Sequence, residues 1–382
     1  LGYRLYRICP TPTTESATVP PTAEFVLEND HLRMEVDPAT GWLASLYDKA
    51  TGAELVAGSR APHTVVSEDP TDTWGHRVVT YALDGKPFQP RVVSWVECGP
   101  VRSIVRVESS YGGSTLIEEL VLGRDARHLE VRVTLDWHEQ LKLAKLRFPT
   151  RLTEPTATYE IPYAHLERPA DGAEEPGQTW VDVSGTLPDG RRAGVTIVND
   201  AKYAYDVSGG DIGITIARSP VYAWHEPREL EPDGRFSYHD QGRQRFCYLV
   251  VPHAGDWRAA GVVRTAAEHV QRPVTMFESY HTGRLPGKAS FAEVVDGDHE
   301  GGEASVVPTV LKLAEDSDEQ LVVRAFESAG RAGRLRLDLP MLDRTVEADF
   351  RPHEIKTLLV PTDPQQPVVE ADALEDPREG EG

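Results

Sequence analysis

The chain is poor in cysteine and has no long apolar run, and each shortage excludes a class of protein. Its 382 residues include three cysteines, Cys9, Cys98 and Cys247, which are far apart and odd in number. This pattern excludes a disulfide framework and a zinc knuckle, and it favours a reducing, cytoplasmic location. No apolar stretch reaches the roughly 18 residues that a spanning helix needs, so the sequence predicts no membrane segment.

Positive charge is also scarce. The 40 Lys and Arg residues against 61 Asp and Glu residues give a formal net charge of −21. We therefore expect neither nucleic acid nor an anionic membrane as a partner. Seven acidic residues and one Arg lie in residues 362–382, and we expect this acidic tail to be disordered. Because the chain begins at Leu1 rather than Met, we expect it to be a piece of a longer polypeptide.

From Phe25 onward, apolar and polar residues alternate in short runs, which is typical of β-strands. Clear examples are RVVSWVEC at residues 91–98 and HLEVRVTLDWH at residues 128–138. Turn sequences such as PATG and YGG separate the runs. Strands at this spacing, without helical patterns between them, favour a large antiparallel sandwich.

One amphipathic helix is predicted over Asp256–Val270, with Asp256 as its N-cap and Pro273 beyond its end. We expect this helix to pack against the sheet edge. The fold class is therefore all-β, with the helix between two β-domains. The predicted organisation is a linker with an opening strand (1–24), a large β-domain (25–272), a smaller β-sandwich (273–361) and the acidic tail (362–382).

Familiar catalytic and cofactor signatures do not occur. The sequence has no HExxH, GxGxxG, GxxxxGK[ST] or GxSxG pattern, so zincin, dinucleotide, P-loop and hydrolase-elbow sites have no support. The 13 histidines form no His-x-His pair at a strand end. We therefore expect no metal site, no cofactor and no catalytic residue in this chain.

Two pairs of titratable residues are candidates for acid–base chemistry. Glu118 and Glu119 are neighbours in a strand and point to opposite faces, so they cannot act at one centre. Asp136 and His138 share a face, which permits an acid–base pair, although a solvated strand end is the simpler interpretation.

The segment FVLENDHLRMEVDPATGWLASLYDKATGAELV, Phe25–Val56, closely resembles the start of the C-terminal β-domain of family 38 glycoside hydrolases, the retaining α-mannosidases. The loop EDPTDTWGH at residues 68–76 is similar to a family loop with an Asp-x-Trp pattern. Further similar segments follow in the family's order, and together they are more specific than any one of them. These segments are residues 107–149, 158–169, 198–223, 246–257, 279–294, 310–332 and 350–360.

The resemblance implies a large galactose-mutarotase-like supersandwich followed by a smaller β-sandwich. It also implies that a preceding catalytic domain is missing. In the family, that domain carries the carboxylate nucleophile, the acid/base and a divalent metal, usually zinc.

The resemblance also implies which residues of this chain approach the sugar. Asp72 and Trp74 match the Asp-x-Trp loop, and Arg218 lies in the similar sequence ARSP. An Arg could hydrogen-bond hydroxyls or position carboxylates, and a Trp could shape the pocket wall. Each could instead be structural. The sequence WHEPRELEPDG at residues 224–234 departs from relatives, so the resemblance implies no role beyond Tyr222.

The sequence therefore predicts the C-terminal part of a cytoplasmic, bacterial, metal-dependent exo-α-mannosidase that is inactive alone and acts on mannose-containing oligosaccharides within its parent. A homo-oligomer is possible. Two alternatives stay open. A free-standing mutarotase-like epimerase would need an inward-facing acid–base pair such as Asp136 and His138. A carbohydrate-binding module would need exposed coplanar aromatic rings.

Overall fold

The computed structural model describes residues 1–9, 24–58, 61–69, 71–82, 85–225, 229–295 and 304–378. The chain divides into two compact units. The larger unit comprises Thr13–Glu160 and Leu166–Arg272, and the smaller comprises Leu1–Pro12, Ile161–His165 and Pro273–Gly382. Within the described residues, no helix is both long and apolar enough to cross a membrane.

The described residues are mainly strands, which confirms the predicted all-β class. They also contain one α-helix, α1 (Val262–Val270), and a 3-10 turn at Pro340–Leu342. The strands are β1 (Gly2–Arg4), β2 (Phe25–Glu28), β3 (Leu32–Val36), β4 (Leu43–Asp48), β5 (Ala53–Glu54), β6 (His63–Glu68), β7 (Lys86–Pro87), β8 (Gln89–Cys98), β9 (Arg102–Tyr111), β10 (Ser114–Gly123), β11 (Leu129–Trp137), β12 (Lys142–Pro149), β13 (Thr153–Ile161), β14 (Ala164–Arg168), β15 (Glu175–Pro176), β16 (Trp180–Thr186), β17 (Arg192–Asn199), β18 (Ala204–Ser208), β19 (Asp211–Arg218), β20 (Gly242–Ala254), β21 (Lys288–Ser290), β22 (Glu293–Val294), β23 (Val306–Ala314), β24 (Ser317–Glu327), β25 (Gly333–Leu339), β26 (Arg344–Phe350), β27 (Ile355–Pro361) and β28 (Val369–Ala371).

Three antiparallel sheets build the larger unit. A nine-stranded sheet has the order β14-β13-β16-β17-β20-β11-β10-β9-β8, and a six-stranded sheet has the order β15-β18-β19-β12-β6-β7. A four-stranded sheet, β2-β3-β4-β5, completes the unit. Their apolar side chains meet in one buried core, because alternation along strands such as β11 sends every second residue inward.

The helix begins later than predicted and packs elsewhere. It starts after Gly261, which adopts the left-handed conformation at φ 64°, while Asp256 caps the preceding turn through the N–H groups of Arg258 and Ala259. Val262 and Ala266 pack with side chains of β16, β17 and β20. Because these are interior strands of the nine-stranded sheet, the helix covers a face of the sheet, and the predicted position at the edge was wrong.

The smaller unit has its own core, to which strands β22–β27 contribute side chains. Its sheets are β1-β21, β22-β25-β26 and β23-β24-β27-β28. The predicted opening strand is present as β1, which pairs with β21, and residues 10–23 of the predicted linker lie outside the described residues. One expectation needs correction here. In the acidic tail, β28 pairs with β27 and Ala371 is buried, so disorder was wrong for this segment. Residues 379–382 lie outside the described residues.

Candidate functional site

Strand direction brings two distant loops to one edge of the six-stranded sheet. Strand β12 runs antiparallel to both β6 and β19, so β6 and β19 are parallel to each other. Their last residues, Glu68 and Arg218, therefore lie opposite the start of β12, next to Lys142 and Leu143. The described part of the loop after β6, residues 69 and 71–77, is called the Asp72 loop. The loop after β19, residues 219–225, is called the His225 loop.

Thr73 joins the two loops. Its hydroxyl donates to the Val221 carbonyl at 2.6 Å and accepts the Trp224 N–H at 3.0 Å. Its own N–H donates to the Trp224 carbonyl at 3.2 Å. These three hydrogen bonds of Thr73 fix the His225 loop beside the Asp72 loop, although the two loops are far apart in the sequence.

Arg218 is one of the three predicted site residues, and its side chain binds the Asp72 loop through several hydrogen bonds. Its Nε donates to the buried Asp69 carboxylate at 2.7 Å, and its Nη1 donates to the Thr73 carbonyl at 3.1 Å. Its Nη2 donates to the Thr71 hydroxyl and the Asp72 carbonyl. A planar guanidinium suits this set of acceptors, whereas a single ammonium group could not reach them all. The contacts make Arg218 an organiser of the loop.

Asp72 is buried within the loop that it shapes. One carboxylate oxygen, Oδ1, accepts the N–H groups of Trp74 at 3.0 Å and His76 at 3.2 Å. The other, Oδ2, lies 2.5 Å from His76 Nδ1. Gly75 closes the turn at φ +65° beside the Arg218 guanidinium, a conformation that a larger residue would adopt only with strain. The Asp72 side chain is thus rigidly placed.

Trp74 lies at the surface of the same loop, with 58% of its area exposed. Its ring centroid is 5.5 Å from that of His225 and 6.1 Å from that of His76. An exposed indole ring offers an apolar face on which a ligand or another protein surface can pack. All three predicted residues therefore belong to one local arrangement, and their part in sugar binding stays a prediction.

Tyr81 contributes to the polar environment under the loop. Burial, followed by the neighbouring Asp69 carboxylate, raises the pKa of its hydroxyl above the ordinary value. The hydroxyl therefore stays protonated at neutral pH.

His76 and His225 were missed by the sequence analysis. Their ring centroids lie 4.7 Å apart, and together with Asp72 they place three potential metal-ligand atoms within 4.8 Å of one another. His76 follows Asp72 by four residues, a spacing that could have drawn attention. His225 lies in the segment that departs from relatives, and only the parallel ends of β6 and β19 bring it here.

The alternative acid–base pair forms elsewhere. His138 Nε2 lies 3.0 Å from Asp136 Oδ1 at the end of β11, in the nine-stranded sheet. Both side chains are substantially exposed, as expected for a solvated strand end. Glu118 and Glu119 separate as predicted, since Glu118 is buried while Glu119 pairs with Arg106 at 2.6 Å.

A second set of charges lies deeper in the six-stranded sheet. Asp206 accepts from both Lys145 and Arg147, Glu174 also pairs with Lys145, and Asp211 lies 2.9 Å from Arg147. Gly213 leaves room for them, because a Cβ there would lie 2.1 Å from Arg147 Nη1 and Asp206 Oδ1. We call this set the buried charge cluster: Lys145, Arg147, Glu174, Asp206 and Asp211.

Within the buried charge cluster, burial and the neighbouring opposite charges shift the pKa values in opposite directions. Burial raises the pKa of Glu174 and Asp211, while Lys145 and Arg147 respectively oppose that rise. Burial also lowers the pKa of Arg147, but Asp211 and Asp206 outweigh it and the net direction is upward. Each of the three carboxylates pairs with Lys145 or Arg147 inside the cluster, which indicates a structural role.

The chain matches known proteins over most of its length. The model of the family described as "Glycosyl hydrolases family 38 C-terminal domain" matches residues 27–235. Alpha-mannosidase 2C1 from Mus musculus is 28% identical over 352 residues, which cover 85% of this chain and 31% of that protein. Alpha-mannosidase G from Dictyostelium discoideum is 25% identical over 333 residues, covering 81% of this chain and 28% of that protein. The chain thus spans about a third of the length of these relatives.

A solved structure of an alpha-mannosidase from Enterococcus faecalis V583 has a similar fold. The TM-score is 0.69 at 18% sequence identity, and the match covers 88% of this chain and 42% of that chain. A galactose mutarotase-like protein from Lactobacillus casei also matches, with a TM-score of 0.35 at 11% identity over 60% of this chain. The first similarity supports the fold, and the second is too low for an inference.

Proposed function

Because the chain belongs to glycosyl hydrolase family 38, whose C-terminal domain it carries, we propose that it is the C-terminal part of a retaining, metal-dependent exo-α-mannosidase. The relatives that support this proposal are named alpha-mannosidases. The substrates would be mannose-containing oligosaccharides, bound together with a preceding catalytic domain. Oligomeric state and cytoplasmic location stay predictions.

Retaining hydrolysis needs two carboxyl groups about 5 Å apart, one as nucleophile and one as acid and base. We assign neither to this chain. A divalent metal in the catalytic domain would supply charge stabilisation at the sugar hydroxyls. The part of this chain would be to shape and position one wall of the sugar cleft.

The structure of the Asp72 loop is the observation that supports its assignment to the wall of the sugar cleft. Its base is pinned by Arg218 and Asp69, whereas its outer surface presents Trp74. A pinned base and an exposed aromatic ring are what a sugar-binding wall requires, because the apolar face of a pyranose packs on such a ring. Preorganisation also means that little conformational entropy is lost on binding.

The test compares the 382-residue chain with the longer polypeptide encoded by its gene, using an aryl α-mannoside as substrate. We expect the longer polypeptide to release the aryl group and to lose activity after chelation, with zinc restoring it. The first sugar product should be the α-anomer by proton NMR. The chain alone should be inactive. Turnover by the chain alone, or an inactive longer polypeptide, would refute the proposal, and mutarotation of free sugars by the chain would favour the epimerase.

A further inference from the structure

Three side chains from two loops form a compact ligand set at the edge of the six-stranded sheet. Asp72 and His76 come from the Asp72 loop, and His225 comes from the His225 loop. Each offers one ligand atom, and these atoms all lie within 4.8 Å of one another. The described part of the chain contains no other group of this kind.

The carboxylate of this set is fixed before any ion arrives. The Asp72 side chain has no exposed area, and its Oδ1 is held by the Trp74 and His76 N–H groups. The backbone of Asp72 is held in turn by Arg218. These bonds leave Oδ2 facing His76 at 2.5 Å. Outer hydrogen bonds of this kind orient the ligands in metal sites and raise affinity.

The two histidines of the set are accessible from solvent. Both are exposed, so an ion could reach them from solvent and keep a water ligand. Zinc–nitrogen distances of about 2.0–2.1 Å in a tetrahedral site require ligand atoms roughly 3.3 Å apart. Asp72 Oδ2 and His76 Nδ1 are 2.5 Å apart in their hydrogen bond and would have to separate by about 0.8 Å to bind one ion. The wider separations, which are at most 4.8 Å, would have to shorten by up to about 1.5 Å. Rotation of the exposed imidazole rings allows shifts of this size.

The chemistry of the donors selects the class of ion. Two imidazole nitrogens and one carboxylate oxygen suit zinc and similar divalent transition metals, whereas calcium and magnesium prefer oxygen ligands. Three protein ligands leave a position open for water or for a hydroxyl group of a ligand. We propose that Asp72, His76 and His225 form a zinc-class metal site in this chain. This inference does not rest on the proposed mannosidase activity, because the chain alone can be tested.

The sequence predicts no metal site in this chain, and the binding experiment below tests that prediction against the proposed site. The alternative arrangement is a hydrogen-bonded Asp72–His76 pair that binds no ion, so that His225 has no ligand role. The two arrangements differ in the effect of removing His225.

The experiment is a titration of the metal-stripped 382-residue chain with Co²⁺, followed by competition with Zn²⁺. We expect one Co²⁺ per chain, the visible absorption of a four- or five-coordinate site, and its loss when Zn²⁺ is added. His225→Ala and His76→Ala should each weaken binding by about tenfold or more, since each removes a direct ligand. His138→Ala is the matched control, because His138 also lies beside a carboxylate at 3.0 Å but has no third ligand in the set.

His225→Ala is the more informative variant, because His225 is exposed and takes no part in the hydrogen bonds of Asp72 to Trp74 and His76. Thermal unfolding of each variant would confirm that the fold is retained. Absence of stoichiometric binding by the unmodified chain would overturn the proposal. Unchanged binding by a folded His225→Ala variant would overturn it equally, and would support the metal-free pair.

Discussion

The buried charge cluster and the Asp72 loop lie toward opposite ends of the same strands, β12 and β19, yet their charges are used differently. In the cluster, Lys145 and Asp206 are almost fully buried and every charge faces an opposite charge. At the Asp72 loop, Arg218 of β19 pairs with the buried Asp69 carboxylate in the same way, but Trp74 and, from the neighbouring His225 loop, His225 reach the surface. The same pairing chemistry thus supports the sheet at one end and a candidate site at the other.

The difference teaches where a substitution should act. Removing one member of a buried ion pair leaves an uncompensated charge and destabilises the fold strongly. Removing an exposed group changes stability little and acts mainly on what the group binds. The following predictions order these effects from the largest to the smallest.

Asp206→Asn should give the largest loss, because Asp206 is the shared partner of Lys145 and Arg147. We expect the free energy of unfolding in urea to fall by about 3 kcal/mol or more. Asp211→Asn is the control, since the Asp211 side chain is about one-third exposed and pairs with Arg147 alone; its loss should be about 1 kcal/mol. Equal small losses in both variants would contradict the distinction.

Ionisation of Glu118 should lower the free energy of unfolding by a similar amount, in a way that depends on pH. Burial raises its pKa from 4.5 to about 7, so between these values the folded chain holds a proton that the unfolded chain has released. Stability should therefore fall as pH rises through this window, by about 3 kcal/mol, and then level off. Glu118→Gln should remove this slope in urea unfolding measured at pH 5 to 8. Glu119→Gln, at the exposed neighbour, should retain it; a slope that persists in Glu118→Gln would exclude this group.

Arg218→Ala should have an intermediate effect, because it leaves the fully buried Asp69 carboxylate without its guanidinium partner. We expect a loss of about 2 kcal/mol in the free energy of unfolding. Arg218→Lys should recover part of it, since an ammonium can pair with Asp69 but cannot also reach the Thr71, Asp72 and Thr73 acceptors. If Arg218→Ala were as stable as the unmodified chain, the loop would not be pinned by this residue.

Trp74→Ala should have the smallest effect on folding, about 0.5 kcal/mol or less, because the ring is mostly exposed. Thermal and urea unfolding of the chain check this value. A much larger loss would mean that the ring supports the fold rather than a binding surface.

Much of this arrangement could be predicted from the sequence. Strand alternation gave the all-β class and the main strands, and the Asp-x-Trp pattern located Asp72 and Trp74. Their meeting with Arg218 depends on β6 and β19 ending at the same edge of the sheet, a tertiary relation that spacing alone does not reveal. The same relation hid His225, because searches for metal ligands by short spacing find only nearby pairs.

Local competition between a turn and the helix explains why the helix begins later in the structure than the sequence predicts. The Asp256 side chain accepts hydrogen bonds from backbone N–H groups, as an N-cap does, but these groups belong to a separate turn. The helix therefore begins only after Gly261. In the acidic tail, the run Val369–Ala371 is too short and too close to charged residues for the sequence pattern to predict a strand there. Pairing with β27 stabilises it as a strand.

The most direct test of the account is the kcat/KM of Trp74→Ala for an aryl α-mannoside, measured in the longer polypeptide together with its unfolding free energy. If the outer surface of the Asp72 loop serves the sugar, kcat/KM should fall by about tenfold or more, equivalent to about 1.4 kcal/mol of transition-state stabilisation. Stability should stay within about 0.5 kcal/mol. An unchanged kcat/KM in a folded Trp74→Ala enzyme would contradict the assignment of this loop to the sugar cleft.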